Sequence, residues 1–205
     1  MHKLLIPALG LLLWSTLAPA ADGPQRLNRF LEGLNTLQAE FQQTVISAGH
    51  DQAIASKGTF YLNRPGRFRW TYDEPEGQFV IADGDRVWLY DAELEQVSHQ
   101  SQEEALRGTP ALLLSGSGPV ESHFEVVGLG SRIGLEWVEL LPRGKESEIT
   151  KVLVAFRGDQ LDRLEMIDSF GQISRFRFAD IRRNPELDPA LFRFEPPPGI
   201  DMLER

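Results

Sequence analysis

The chain has no cysteine, so no disulfide can brace it and its N-terminus cannot carry a thioether-linked lipid. Histidine is nearly as scarce. Beyond the first twenty residues only His50, His99 and His123 occur, with neither His-x-His nor His-Glu-x-x-His spacing, which argues against a metal centre. There is no Gly-x-Ser-x-Gly, and Gly116-Ser117-Gly118 lacks the lysine of a phosphate loop. Glu103 and Glu104 suit a solvated face. Arg157-Gly158-Asp159 spells a cell-adhesion tripeptide, but it falls between two strand-like runs, where a hairpin turn belongs. No constellation for catalysis emerges, and no cofactor is implied. Positive charge is also short: the formal balance of −9 disfavours nucleic acid and gives no adhesion to anionic lipid headgroups.

Long apolar runs are confined to the start. His2 and Lys3 precede fourteen apolar-rich residues from Leu4 to Leu17, then Ala18-Pro19-Ala20, which is the layout of a signal peptide over residues 1–20 with cleavage expected after Ala20. The run is short for a membrane anchor, and no later stretch approaches spanning length. Residues 21–205 are enough for one sizeable core and are expected to form a single domain.

The stretch from Gly58 to Tyr90 organises that domain. Phe68, Trp70 and Tyr72 alternate with Arg67, Arg69 and Thr71, the period of two of a half-buried strand with an aromatic face. Asn63-Arg64-Pro65-Gly66 reads as a tight turn, and Asp83-Gly84, between Phe79–Ala82 and Arg86–Tyr90, as a hairpin. Before this segment, Leu27, Phe30, Leu31 and Leu34 step by three and four, predicting a helix over 25–34. Leu37, Ala39, Phe41 and Val45 then alternate as a first strand, although a helix continuing to Val45 fits the same apolar residues. Further strands are expected near 53–62, 94–100, 124–127, 133–141, 149–156, 160–167 and 172–181, with short helices at 103–106 and from Ala111 to Leu114. About eleven strands predict a mainly β fold built on one large, curled antiparallel sheet. Its concave side must either fill with its own side chains or leave room for an apolar guest.

The ordered set of Gly58, a strand, Arg64-Pro65-x-x-Phe68-x-Trp70, a proline break, Asp83-Gly84 and Val87-Trp88-Leu89-Tyr90 resembles the LolA family, periplasmic carriers of lipoproteins. Thr109-Pro110-x-x-Leu113 and the ending from Phe192 to Ile200 extend the resemblance over nearly the whole expected domain. The resemblance implies an incomplete β-barrel under a lid of short α-helices. It implies a non-enzymatic, monomeric chaperone that binds the acyl chains of lipoproteins released from the inner membrane and delivers them to an outer-membrane receptor. An inner-membrane ABC-type exporter would load it. Arg64 matches a latch that grips lid carbonyls, and its five donors and permanent charge suit that task. Phe68 matches a position at the cavity mouth. Trp70, Leu112, Leu114, Leu27, Phe30 and Leu34 are further candidates for the acyl-cavity lining, with plain core as their alternative reading. A lipid or lipoprotein sensor on the same half-barrel, and a periplasmic hydrolase with a scattered site, are the competing functions.

Overall fold

The computed structural model describes residues 23–204 apart from 48, 50–52, 75–76, 107–108, 117 and 145–146, so the expected signal peptide lies outside the described residues. Helix α1 (Gly23–Leu31) leads into β1 (Thr36–Ile46), β2 (Ala53–Asn63), β3 (Arg67–Glu74), β4 (Gln78–Asp83), β5 (Arg86–Asp91) and β6 (Gln96–Ser101). Two short helices follow, α2 (Gln102–Leu106) and α3 (Pro110–Ser115). The chain then returns to sheet as β7 (Phe124–Arg132), β8 (Leu135–Pro142), β9 (Ile149–Arg157), β10 (Gln160–Asp168) and β11 (Ile173–Arg183), and ends in β12 (Asp201–Glu204).

All twelve strands form one sheet in the order β12-β6-β5-β4-β3-β2-β1-β11-β10-β9-β8-β7. Successive hairpins explain most of this order. The long-range joint is β1 against β11, where Phe41 opposes Phe178 and Gln43 opposes Phe176. The two edges, β12 and β7, do not pair with each other, so the sheet curls without closing. This is the curled, mainly antiparallel sheet that the strand spacing predicts, left open as the family resemblance implies.

The differences have local causes. Helix α1 stops three residues early because Gly33 turns left-handed at φ 64°, a conformation that closes a helix C-terminus. Beyond it the period-two reading holds: in β1 Leu37, Ala39 and Phe41 are buried while Glu40 is exposed. Strand β7 runs five residues past the expected Val127, since its outer half is exposed and shows no alternation. β12 is new. It is four residues long, follows a proline-rich tail, and pairs parallel to β6 with Asp201 opposite Gln96. A lone parallel edge strand has no hairpin partner in sequence and therefore no turn signal.

The main core lies on the concave face, where Leu62, Val138, Val152 and Phe156 are fully buried. A second, smaller cluster lies on the convex face of β4–β6. There Ile81, Trp88 and Val97 are buried beneath Phe194 and Ile200 of the tail. Burial on both faces accounts for the near-continuous apolar run Phe79-Val80-Ile81-Ala82 in β4.

Candidate functional site

Between the concave face and α2–α3 lies an apolar cavity of about 340 Å³. Phe60, Phe68, Trp70 and Tyr72 of β2 and β3 form one wall, Leu164, Met166 and Phe176 of β10 and β11 the opposite one, and Leu106 and Leu114 the roof. Trp70 stands at the centre of the aromatic side, with ring centroids 4.3 Å from Phe60, 4.8 Å from Phe41 and 5.0 Å from Phe176. No described lining residue is charged. The Tyr72 hydroxyl donates to Gln43 Oε1 at 3.0 Å, and burial pushes its phenol up to about 12, so it is neutral at any physiological pH. Among the described residues its wall carries neither a nucleophile–base pair nor a charged group, and its chemistry matches that of an apolar guest. Among the described residues no group of three or more His, Cys, Asp or Glu is placed to bind a metal.

The roof is built from helices of five and six residues, too short to be stable in isolation. Helix α3 starts at Thr109, whose hydroxyl accepts from Leu112 N, and it ends where Gly116 N donates to Leu112 O at 2.7 Å. What holds it down is the β2–β3 turn. The guanidinium of Arg64 donates through Nε to Gly116 O at 3.1 Å, through Nη2 to the same oxygen, and through Nη1 to Leu31 O at 3.1 Å and Leu34 O at 3.4 Å. One side chain thus ties the C-terminal end of α1 to that of α3, where helix dipoles concentrate partial negative charge. Burial lowers the guanidinium pKa from its ordinary value, yet arginine stays a cation. Two residues on, Gly66 holds φ 77°, donates its N–H to Ser115 O at 2.8 Å and accepts from Gln102 Nε2 at 2.7 Å. The Arg64–Gly66 turn therefore touches all three helices.

A profile described as "Outer membrane lipoprotein carrier protein LolA" matches residues 32–195. The chain belongs to the LolA family. Among its relatives, an outer-membrane lipoprotein carrier protein of Methylococcus capsulatus is 42% identical over 96% of this chain and 95% of the relative. One from Dechloromonas aromatica is 39% identical over 89% of this chain and 88% of the relative. The sheet is also similar to solved structures at low identity, which speak to fold alone. A conserved protein of Thermus thermophilus aligns with TM-score 0.53 at 14% identity over 89% of this chain and 97% of that one. A putative outer membrane lipoprotein-sorting protein domain from Vibrio parahaemolyticus gives 0.52 at 14% over 83% and 97%.

In this LolA-family chain the seven lining candidates divide. Phe68, Trp70 and Leu114 line the cavity. Leu27, Phe30 and Leu34 are 1%, 3% and 4% exposed and belong to the packed core, with the Phe30 ring 5.7 Å from Phe156 and tilted against it at 58°. They fill the part of the concave face over β7–β9 and are not on the cavity wall. Leu112 packs half-buried against the same core, away from the wall. Periodicity identifies an apolar face, but not whether that face meets side chains or a void. Sequence reasoning placed Gly66 in a turn without giving it a role at the site, and passed over Gln102 and Ser115; the three complete the attachment of the roof. A glycine after Arg-Pro at a hairpin tip was the one available signal.

Proposed function

We propose that the chain is a periplasmic carrier which holds the acyl chains of a lipoprotein in the lidded cavity and passes them to an outer-membrane receptor, without covalent chemistry. The observation that carries this reading is the uncharged, aromatic-walled cavity roofed by two short helices that one arginine-bearing turn secures. Burying a sixteen-carbon chain stabilises it by roughly 12 kcal/mol at about 0.8 kcal/mol per CH₂. Such a guest does not pass freely through water, so it must be handed directly from one protein to the next. An ABC-type exporter of the inner membrane would load the carrier. The carrier acts as a monomer, made soluble by removal of residues 1–20. Arg64 serves as the latch of the empty, closed state, and Phe68, Trp70 and Leu114 as contacts for the guest. The named relatives match over nearly their whole length, which favours a carrier over a sensor that uses the half-barrel as one part of a larger protein.

Native mass spectrometry of the protein purified from periplasm, with and without co-expressed lipoprotein, tests the reading. A one-to-one complex that forms only with the acylated lipoprotein is the expected result. Equal binding of a non-acylated form, or none when acylated lipoprotein is released from membranes, overturns it.

A further inference from the structure

The convex face carries a second depression, separated from the cavity by the thickness of the sheet. It measures about 320 Å³ and lies over β7–β10, at the end where β7 turns into β8. Strand alternation puts it there, because Val138, Val154 and Phe156 are buried on the concave side while Trp137, Leu153 and Arg157 beside them point outward. Leu135, Trp137 and Leu153 form its floor, and Arg132, Arg157 and Arg163 its rim. Arg157 and Arg163 share Asp162, their Nε atoms donating to its two oxygens at 3.0 and 3.2 Å, and Arg175 donates to Glu165 at 3.3 Å. Three guanidinium groups thus meet two carboxylates, and with Arg132 beside them they leave a cationic rim on a chain whose net charge is −9.

Two more observations point to an occupant. Trp137 Nε1 is buried without a hydrogen-bond partner. Ile133, at the hairpin tip, is 99% exposed and holds φ 53°, with Gly134 beside it at φ 71°. A two-residue turn with positive φ at both positions ordinarily takes Asn-Gly, and a β-branched residue there is an outlier. Leu129 is also exposed, in the irregularity between Gly128 and Gly130 on the free edge strand β7.

We infer that this groove docks an extended acidic segment of a partner protein. Carboxylates of the segment pair with Arg132, Arg157 and Arg163, the Trp137 indole turns outward to give its unpartnered N–H to an oxygen of the segment, and an aliphatic side chain rests against Ile133 and Leu129. The cationic rim selects against basic chains, and the apolar floor against a purely polar one. Because the groove and the cavity lie on opposite faces, this inference stands or falls separately from the carrier reading.

NMR of the nitrogen-15-labelled protein tests it, with two probes: a peptide of glutamates around a central leucine, and its lysine counterpart. The acidic peptide is expected to shift the Trp137 indole signal and the amides of Arg132 and Ile133. The Trp88 indole, which donates to Asp83 Oδ2 at 2.7 Å, stays still. Arg157→Glu combined with Arg163→Glu weakens binding by about tenfold or more. Ile133→Asn, which suits the turn, weakens it while leaving the fold intact. The inference is overturned if the lysine peptide gives the same shifts, or if no shift appears at millimolar acidic peptide. It is equally overturned if the signals that move are those of the cavity, such as Trp70, or if Trp137 moves with protein concentration alone, which would make a second copy the occupant.

Discussion

Helices α1 and α3 both close over the concave face, and Arg64 joins them, yet they are held in very different ways. Helix α1 has two buried anchors, Leu27 and Phe30, and a second set of ties from the far side of the sheet. Arg183 at the end of β11 donates to Phe30 O at 2.7 Å and Glu32 O at 3.2 Å, its guanidinium 5.1 Å from the Phe30 ring. Asn184 accepts from the N–H groups of Asn35 and Thr36 at 2.8 and 3.2 Å and donates to Gly33 O at 2.9 Å. Helix α3 has buried Leu113, Leu114 and Ser115, but among the described residues its polar ties to the sheet all run through the Arg64–Gly66 turn. The difference assigns them separate tasks. Helix α1 is part of the core, and in the proposed carrier α3 is the cover, held by a single turn.

Substitutions at matched positions can break that contrast. The largest effect is expected from Phe30→Ala, which removes a core ring and lowers global stability by about 3–5 kcal/mol, read as a fall in the urea midpoint. Arg64→Leu comes next. It strands the half-buried carbonyl of Gly116, while Leu31 O still accepts from Leu34 N at 3.2 Å; an unsatisfied group costs about 1–3 kcal/mol when fully buried, and here the loss should appear as local opening. Amide exchange in α3 should accelerate by about tenfold or more while that in the β9–β11 core stays unchanged, and cargo release should slow. Equal cargo transfer by this variant and wild type, with folding intact, would remove Arg64 from the latch role. Arg183→Leu should lower the unfolding midpoint by about 1 kcal/mol, or about 2–4 °C, and leave α3 exchange as it was.

The smallest effect is one of pH and acts under α2. Asp83 is pushed up by burial, but hydrogen bonds from the Arg86 amide, the Trp88 indole and the Asp85 amide, with the Arg86 charge, outweigh this and hold it below its ordinary 3.8. A carboxyl lowered by folding stabilises the native state above its unfolded value and loses that contribution as pH falls through the folded one. The turn it orders carries α2, through Gln102 N donating to Asp85 O at 2.9 Å and Gly84 N donating to Gln102 Oε1 at 3.1 Å. Acid below the usual carboxylate range should therefore loosen α2 before α1. Asp83→Asn should show the same loosening at neutral pH and little further change on acidification, as followed by amide exchange from about pH 7 down to about pH 2.

Much of this contrast was legible in the sequence, but unevenly. The aromatic alternation of Phe68, Trp70 and Tyr72 and the turns at Arg64–Gly66 and Asp83–Gly84 are local, so the residues that form them also announce them. The ties on α1 are not local. Arg183 reaches Phe30 across 153 residues, and it looks like any outward arginine of β11 until β1 pairs with β11. Leu27 and Phe30 on one side and Leu114 on the other read alike as apolar helix faces. Only the packing separates core from cavity wall. β12 escaped for a related reason, since its register is set by the tail crossing the convex face and not by any turn of its own.

Hydrogen exchange on the protein with and without bound acylated lipoprotein tests the division between the two helices most directly. The account predicts that loading changes protection in α3 and the Arg64–Gly66 turn while α1 and Arg183 keep theirs. Protection lost together in α1 and α3, or unchanged in both, would contradict it.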